Sequence, residues 1–131
     1  MGTWATGSFG NDSAGDWAID LLENPTFEFF RETLEASIEE PYDSMLNENA
    51  IAAAEVLCML DGFVPADYDQ VSHNLGPAIS KLKEQSMPSD LKRLALQSVE
   101  SIEEDSELKE LWEENEEWKS EIQDLKQRLK A

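Results

Sequence analysis

The chain is poor in cysteine, histidine and positive charge, and each shortage excludes something. Its 131 residues include one cysteine, Cys58, and one histidine, His73. A single cysteine forms no intramolecular disulfide, which suits a reducing compartment and an expected cytoplasmic location. With one Cys and one His, a zinc ion would depend on carboxylates for its remaining ligands, and no His/Cys spacing marks a site. Asp67-x-Asp69 lacks the glycine and terminal glutamate of a calcium loop. No metal is expected. Ser72 and His73 are adjacent, so on a helix they diverge and make no nucleophile–base pair. There is no phosphate-binding loop and no dinucleotide fingerprint, and no cofactor is expected. Apolar runs fall far short of the roughly 20 residues a membrane span requires, and none reads as a secretory leader. Met1-Gly2-Thr3-Trp4-Ala5-Thr6 fits the N-myristoylation pattern. An acidic chain lacks the polybasic second signal of stable anchoring, so no membrane partner is expected.

Ten Lys and Arg face 29 Asp and Glu, for a net charge of −19. Such a field repels phosphate backbones, which argues against direct nucleic-acid binding. It leaves two readings, a well-solvated surface or a surface for a basic protein. The charge is unevenly placed. Residues 1–80 hold fifteen acids and one base, Arg31, for −14, whereas residues 81–131 carry −5. A partner steered by charge should arrive at the N-terminal part.

What the chain does have is apolar surface and helical period. A 40% hydrophobic fraction with four Trp and five Phe supports one domain over 1–131 with a real core. Asn11 or Asp12 is placed to cap a first helix to about Glu23, with Ala14, Trp17, Ala18, Leu21 and Leu22 on one face. Asn24-Pro25 reads as an N-cap followed by proline at the first helical position. A second helix then runs to about Glu39 on a Phe27, Phe30, Leu34, Ile38 stripe. A third, from Asp43 or Asn47 to Leu60, is apolar on most sides from Ala50 onward, Glu55 excepted. Asp61-Gly62 reads as its stop, followed by loop with a short helix near 67–73. Another helix is expected from Pro77 to Gln85, with Ile79 and Leu82 inward. Pro88-Ser89-Asp90 restarts a helix to about Glu103 on Leu91, Leu94, Ala95, Ser98, Val99 and Ile102. The last element begins at Asp105-Ser106 with Leu108, Leu111 and Trp112, and a break is expected near Glu114–Glu117. Beyond it, Trp118, Ile122, Leu125 and Leu129 recur at 4-3-4 spacing, a seam of about two heptads that leaves oligomeric state open. No alternation suggests strands. The expected fold is all-α, a compact bundle of six or seven helices with an ordered N-terminal loop packed on its core.

That loop is distinctive: Gly2-x-Trp4-x-x-Gly7-x-Phe9-x-Asn11-Asp12, then Asp16-Trp17. Together with Ala52-Ala53-Ala54-Glu55, and with Ser106 to Trp112 followed by Trp118 and Leu125-x-x-x-Leu129, it resembles the domain-of-unknown-function family 4259. That family comprises small, mostly bacterial proteins. The resemblance implies a domain identity and carries no activity. The loop's own chemistry suggests Trp4, Phe9 and Trp17 as a plug at one end of the bundle, with a ligand-binding loop as the alternative.

Glu55 is the outlying residue. A carboxylate in an apolar run must be hydrogen-bonded, paired or protonated. The structural reading bonds it to the N-terminal loop or pairs it with Arg31, and the functional one makes it an interior general base of an enzyme. Cys58, one turn away, reads as a buried inert thiol. Charge and size point to a protein-binding module of the immunity or inhibitor kind. It would receive a basic partner on Asp12, Asp16, Asp20, Glu28, Glu32 and Glu35. The alternatives are that enzyme, or an adaptor assembling through the C-terminal helix.

Overall fold

A computed structural model describes residues 12–60 and 77–130, with side chains from Asp16 onward in the first helix. Gly2, Trp4, Gly7, Phe9, Asn11 and the Asp12 side chain lie outside the described residues. So do Asp61-Gly62, the expected short helix near 67–73, and Asp67, Asp69, Ser72 and His73. Among the described residues there are seven helices and no strand. They are α1 (Asp12–Glu23), α2 (Phe27–Glu39), α3 (Ser44–Leu60), a helical stretch over 77–83 (α4), α5 (Leu91–Glu104), α6 (Glu107–Trp112) and α7 (Glu116–Lys130). No helix among them is long and apolar enough to cross a membrane.

The centre of the packing is α3. Every residue from Ala50 to Met59 is buried, Glu55 included. A helix that is apolar all round has to be covered all round, and α3 packs against α1, α2, α5, α6 and α7. Its run of Ala52, Ala53 and Ala54 presents little side-chain bulk, which lets those neighbours come close. α5 is the second hub, touching α2, α3, α6 and α7. Its Leu91, Ala95, Ser98, Val99 and Ile102 are buried and Leu94 is half-buried, the face its spacing predicts.

α1 and α2 form a hairpin joined by three residues and pinned by Trp17. The Trp17 ring stacks on Phe29 at 5.5 Å and meets Phe30 edge-on at 5.4 Å. Its Nε1–H donates to Thr33 Oγ1 at 2.9 Å, and that hydroxyl donates to the Phe29 carbonyl. Two details of this hairpin depart from the sequence expectation. The N-cap of α2 is Thr26, which is extended in backbone and accepts the Phe29 N–H on its Oγ1, whereas the Asn24 N–H closes α1 by donating to the Asp20 carbonyl. Pro25 therefore lies outside the helix. Leu22 does not share the buried face of Trp17 and Leu21 but stays 37% exposed. Trp17 and Leu21 sit about 40° apart around the axis, while Leu22 is another 100° or so onward.

The chain breaks again where polar caps are supplied. In α4, Ala78 and Leu82 are buried and Ile79 is half-buried. Ser106 Oγ accepts the Lys109 N–H at the start of α6 and donates to the Ile102 carbonyl at the end of α5. Asn115 Oδ1 accepts the Trp118 N–H, so the expected interruption is a clean cap between α6 and α7. Leu108 is buried and Trp112 half-buried, whereas Leu111 is exposed. Trp118, Ile122, Leu125 and Leu129 are all buried within this chain, so the 4-3-4 seam is occupied by α3 and α5.

Asn47 ties three helices together. Its Nδ2 donates to Ser37 Oγ of α2 at 3.0 Å, and its Oδ1 accepts the Leu108 N–H of α6 at 3.3 Å. Nearby, Glu107 Oε1 accepts the Ser44 N–H at the first turn of α3 at 2.7 Å. Asn47→Ala strands a buried amide and hydroxyl, so it should cost about 2 kcal/mol and lower the thermal midpoint by roughly 5–10 °C. A midpoint within about 1 °C of the unsubstituted protein would remove Asn47 from this role.

Candidate functional site

The acidic residues expected to meet a partner occupy exposed positions of α1 and α2, the Asp12 side chain lying outside the described residues. Asp16 and Asp20 are exposed on α1, and Glu28, Glu32 and Glu35 on α2. At about 100° per residue, Asp16, Asp20 and Glu23 fall within roughly 60° of arc, and so do Glu28, Glu32, Glu35 and Glu39. Each helix therefore carries a carboxylate stripe. None of these seven side chains makes an ion pair among the described residues, although Arg31 lies in the field of Glu28 and Glu35.

Arg31 is directed elsewhere. Its guanidinium grips both carboxylate oxygens of Asp90, each at 3.1 Å, and joins α2 to the start of α5. Asp90 consequently makes no side-chain cap to its own helix. The hydrogen bond from Arg31 holds the Asp90 carboxyl below its ordinary value, burial opposing. A depressed folded-state value means the contribution is present above the ordinary carboxylate range and lost as pH falls through the depressed value. Asp90 is exposed and Arg31 is partly open to solvent, so the contribution is small. Asp90→Asn should leave neutral stability nearly unchanged and flatten part of the acid limb of a stability–pH curve. An unaltered limb would show the pair to be thermodynamically silent.

The cation for Glu55 is Arg128, not Arg31. Glu55 is 1% exposed, and both its oxygens accept from Arg128, Oε1 from Nη1 and Oε2 from Nη2 at 3.2 Å. Arg128 Nε also donates to Asp124 one turn earlier, at 3.0 Å. Burial works against the guanidinium charge, but the hydrogen bonds and charge of Glu55, followed by Asp124, hold Arg128 above its ordinary value. Both values lie far above neutrality, so the arginine adds no pH dependence near pH 7. A carboxylate bound by both oxygens in this way is suited to holding α7 on α3. On the opposite flank of the α7 seam, Lys126 pairs with Glu103 of α5, and Gln123 donates to the same carboxylate. Cys58 is a buried thiol on the same helix as Glu55 and within the field of Arg128.

Glu55→Ala leaves Arg128 without its main carboxylate. The arginine side chain retains 12% exposure, so the cost should sit near the lower end of the range for breaking a buried pair, about 3 kcal/mol. Replacing both residues by leucine should recover most of that loss in a thermal melt. A double variant as unstable as the single one would refute the pairing as the cause.

Among the described residues, no group of three or more His, Cys, Asp or Glu side chains could hold a metal ion. Asn49 Oδ1 is a buried acceptor with no hydrogen-bond partner among the described residues. The residues that sequence reasoning missed are Asn47, Ser37, Arg128 and Thr26, all of them polar groups working across or between helices. For Arg128 a signal existed, since it directly precedes the seam residue Leu129. Trp112 rests half-buried against the core.

Comparison with protein-family models gives a match to the domain of unknown function DUF4259 over residues 2–123, and the chain belongs to that family. The match takes in the N-terminal glycines and Trp118 and ends short of Leu125, Arg128 and Leu129. No curated protein and no solved structure matches the chain.

Proposed function

We propose that this DUF4259 protein is a binding module whose α1–α2 hairpin receives a basic protein, in the manner of an immunity or inhibitor protein. The observation that carries this reading is the pair of carboxylate stripes. Asp16, Asp20, Glu28, Glu32 and Glu35 are exposed, and no ion pair from the described residues neutralises them. The only base in residues 1–80, Arg31, is engaged by Asp90. Uncompensated stripes of one sign speed encounter with a cationic surface and reject anionic ones, which favours a protein over nucleic acid or an anionic membrane. Asp12 is the first residue of α1, four positions before Asp16. A reducing, cytoplasmic setting fits the lone buried Cys58.

The competing readings draw less support. A general base has to be reached by substrate, while Glu55 is buried in the centre of the packing and held through both oxygens by Arg128. An adaptor working through α7 needs an exposed seam, while the four apolar seam residues are buried in the same chain.

The test is capture at two salt concentrations. The protein should retain a basic partner from extracts of its source cells at about 50 mM salt and release it by about 500 mM, where screening collapses to a few Å. The variant Asp16→Asn, Asp20→Asn, Glu28→Gln, Glu32→Gln, Glu35→Gln should retain at least about tenfold less. Retention unchanged by these five substitutions would overturn the proposal.

A further inference from the structure

The exposed side of α1 is not purely ionic. Ile19 is 58% exposed and Leu22 is 37% exposed, whereas Trp17 and Leu21 of the same helix are buried. Ile19 and Leu22 are three residues apart and so are neighbours along the helix surface. By the same helical geometry, Ile19 lies about 40° from Glu23 and about 60° from Asp16. An apolar edge thus runs beside the acidic stripe on a helix whose own core contacts are already made. Resting on the reading above, we infer that the segment received there is a basic amphipathic helix, with apolar side chains that seat on Ile19 and Leu22 and lysines or arginines that reach Asp16, Asp20 and Glu23.

Charge complementarity selects this occupant. A second copy of the chain would bring carboxylate stripe against carboxylate stripe, and the net charge of −19 opposes that approach. A basic segment without apolar side chains would satisfy the carboxylates and leave Ile19 and Leu22 in water. An apolar segment without bases would cover the edge and bury carboxylates unpaired, which is unfavourable. A helix carrying both features meets both demands, with apolar anchors at i and i+3 or i+4 spacing that match the edge. Apolar contact then supplies the affinity, and the carboxylates supply orientation and speed of encounter.

The experiment uses two synthetic peptides of identical Lys, Leu and Ala composition. One gathers its leucines on a single helical face, and the other disperses them. Binding to the full chain is read by fluorescence anisotropy at low salt. The patterned peptide should bind at least about fivefold more tightly than the dispersed one, and Ile19→Ser with Leu22→Ser should abolish that difference. The substitution pair Met45→Ser and Leu111→Ser, at exposed apolar residues of α3 and α6, should leave it intact. Glu28→Gln, Glu32→Gln and Glu35→Gln should weaken both peptides together. Equal affinities for the two peptides overturn the amphipathic inference, as does a preference that survives the α1 substitutions or is lost with those in α3 and α6. If neither peptide binds, or the glutamine variant binds both undiminished, the charge-based reading itself fails. Circular dichroism establishes that each variant is folded. Should the α1 variant not fold, the comparison of the two peptides on the unsubstituted chain decides alone.

Discussion

A carboxylate at the centre of a helix that is covered on every side must find a partner at that depth, and here the partner is a cation. Glu55 is that carboxylate, and Arg128 of α7 supplies the charge. An ion taken out of water is heavily penalised unless its partner arrives with good geometry, and a bidentate guanidinium provides it. The pairing joins the middle of the chain to its end, 73 residues later in sequence. It also selects one seating for α7. A slide by one residue would move Arg128 about 100° around the helix axis and break both hydrogen bonds, while Trp118, Ile122, Leu125 and Leu129 would leave the core together. Apolar burial holds α7 down, and the ion pair fixes where.

The same arrangement sorts the chain's scarce cations. Arg128 and Lys126 flank the α7 seam, one paired with α3 and the other with α5. Arg31 links α2 to the start of α5. Each of these bases bridges two helices, so its charge is answered inside the fold. The carboxylates of α1 and α2 have no such inward task. They are exposed and make no ion pair among the described residues, which gives the molecule an acidic hairpin at one place.

Much of this was legible in the sequence because helices announce themselves by period and cap. Pro88-Ser89-Asp90, Ser106 and the crowding before Trp118 gave boundaries that the structure keeps, since each marks a backbone that must satisfy its own first N–H groups. The apolar stripes of α5 and α7 were readable for the same reason, and so was that of α2 through Phe27, Phe30 and Leu34, but its next buried place is taken by Ser37 and Ile38 is only half-buried. What failed to show were groups whose partners lie far along the chain. Asn47 looks like any polar residue near a helix start, and only packing brings Ser37 and the Leu108 amide to it. Arg31 was the nearest base available to Glu55 by sequence region, yet α2 turns it toward Asp90. A leucine next to Leu21 suggests a wide inward face that takes in Leu22. Its angular position beside the exposed flank of α1 decides otherwise, and apolar residues do remain on surfaces.

That misplaced leucine bears on what the acidic hairpin is for. A stripe of carboxylates on its own is explained by solubility, since like charges in water keep molecules apart and need no partner. Solubility gives no reason to leave an isoleucine and a leucine exposed one turn apart on the same helix, beside that stripe. Folding gives none either, because Trp17 and Leu21 already anchor α1 through α2 and the core. On the reading proposed above, the two features together make a surface that would discriminate. Charge would exclude anionic and self-like neighbours, and the apolar edge would distinguish an amphipathic cation from a merely cationic one. Discrimination of that kind arises from combining an attractive contact with a repulsive one, and α1 carries both within two turns.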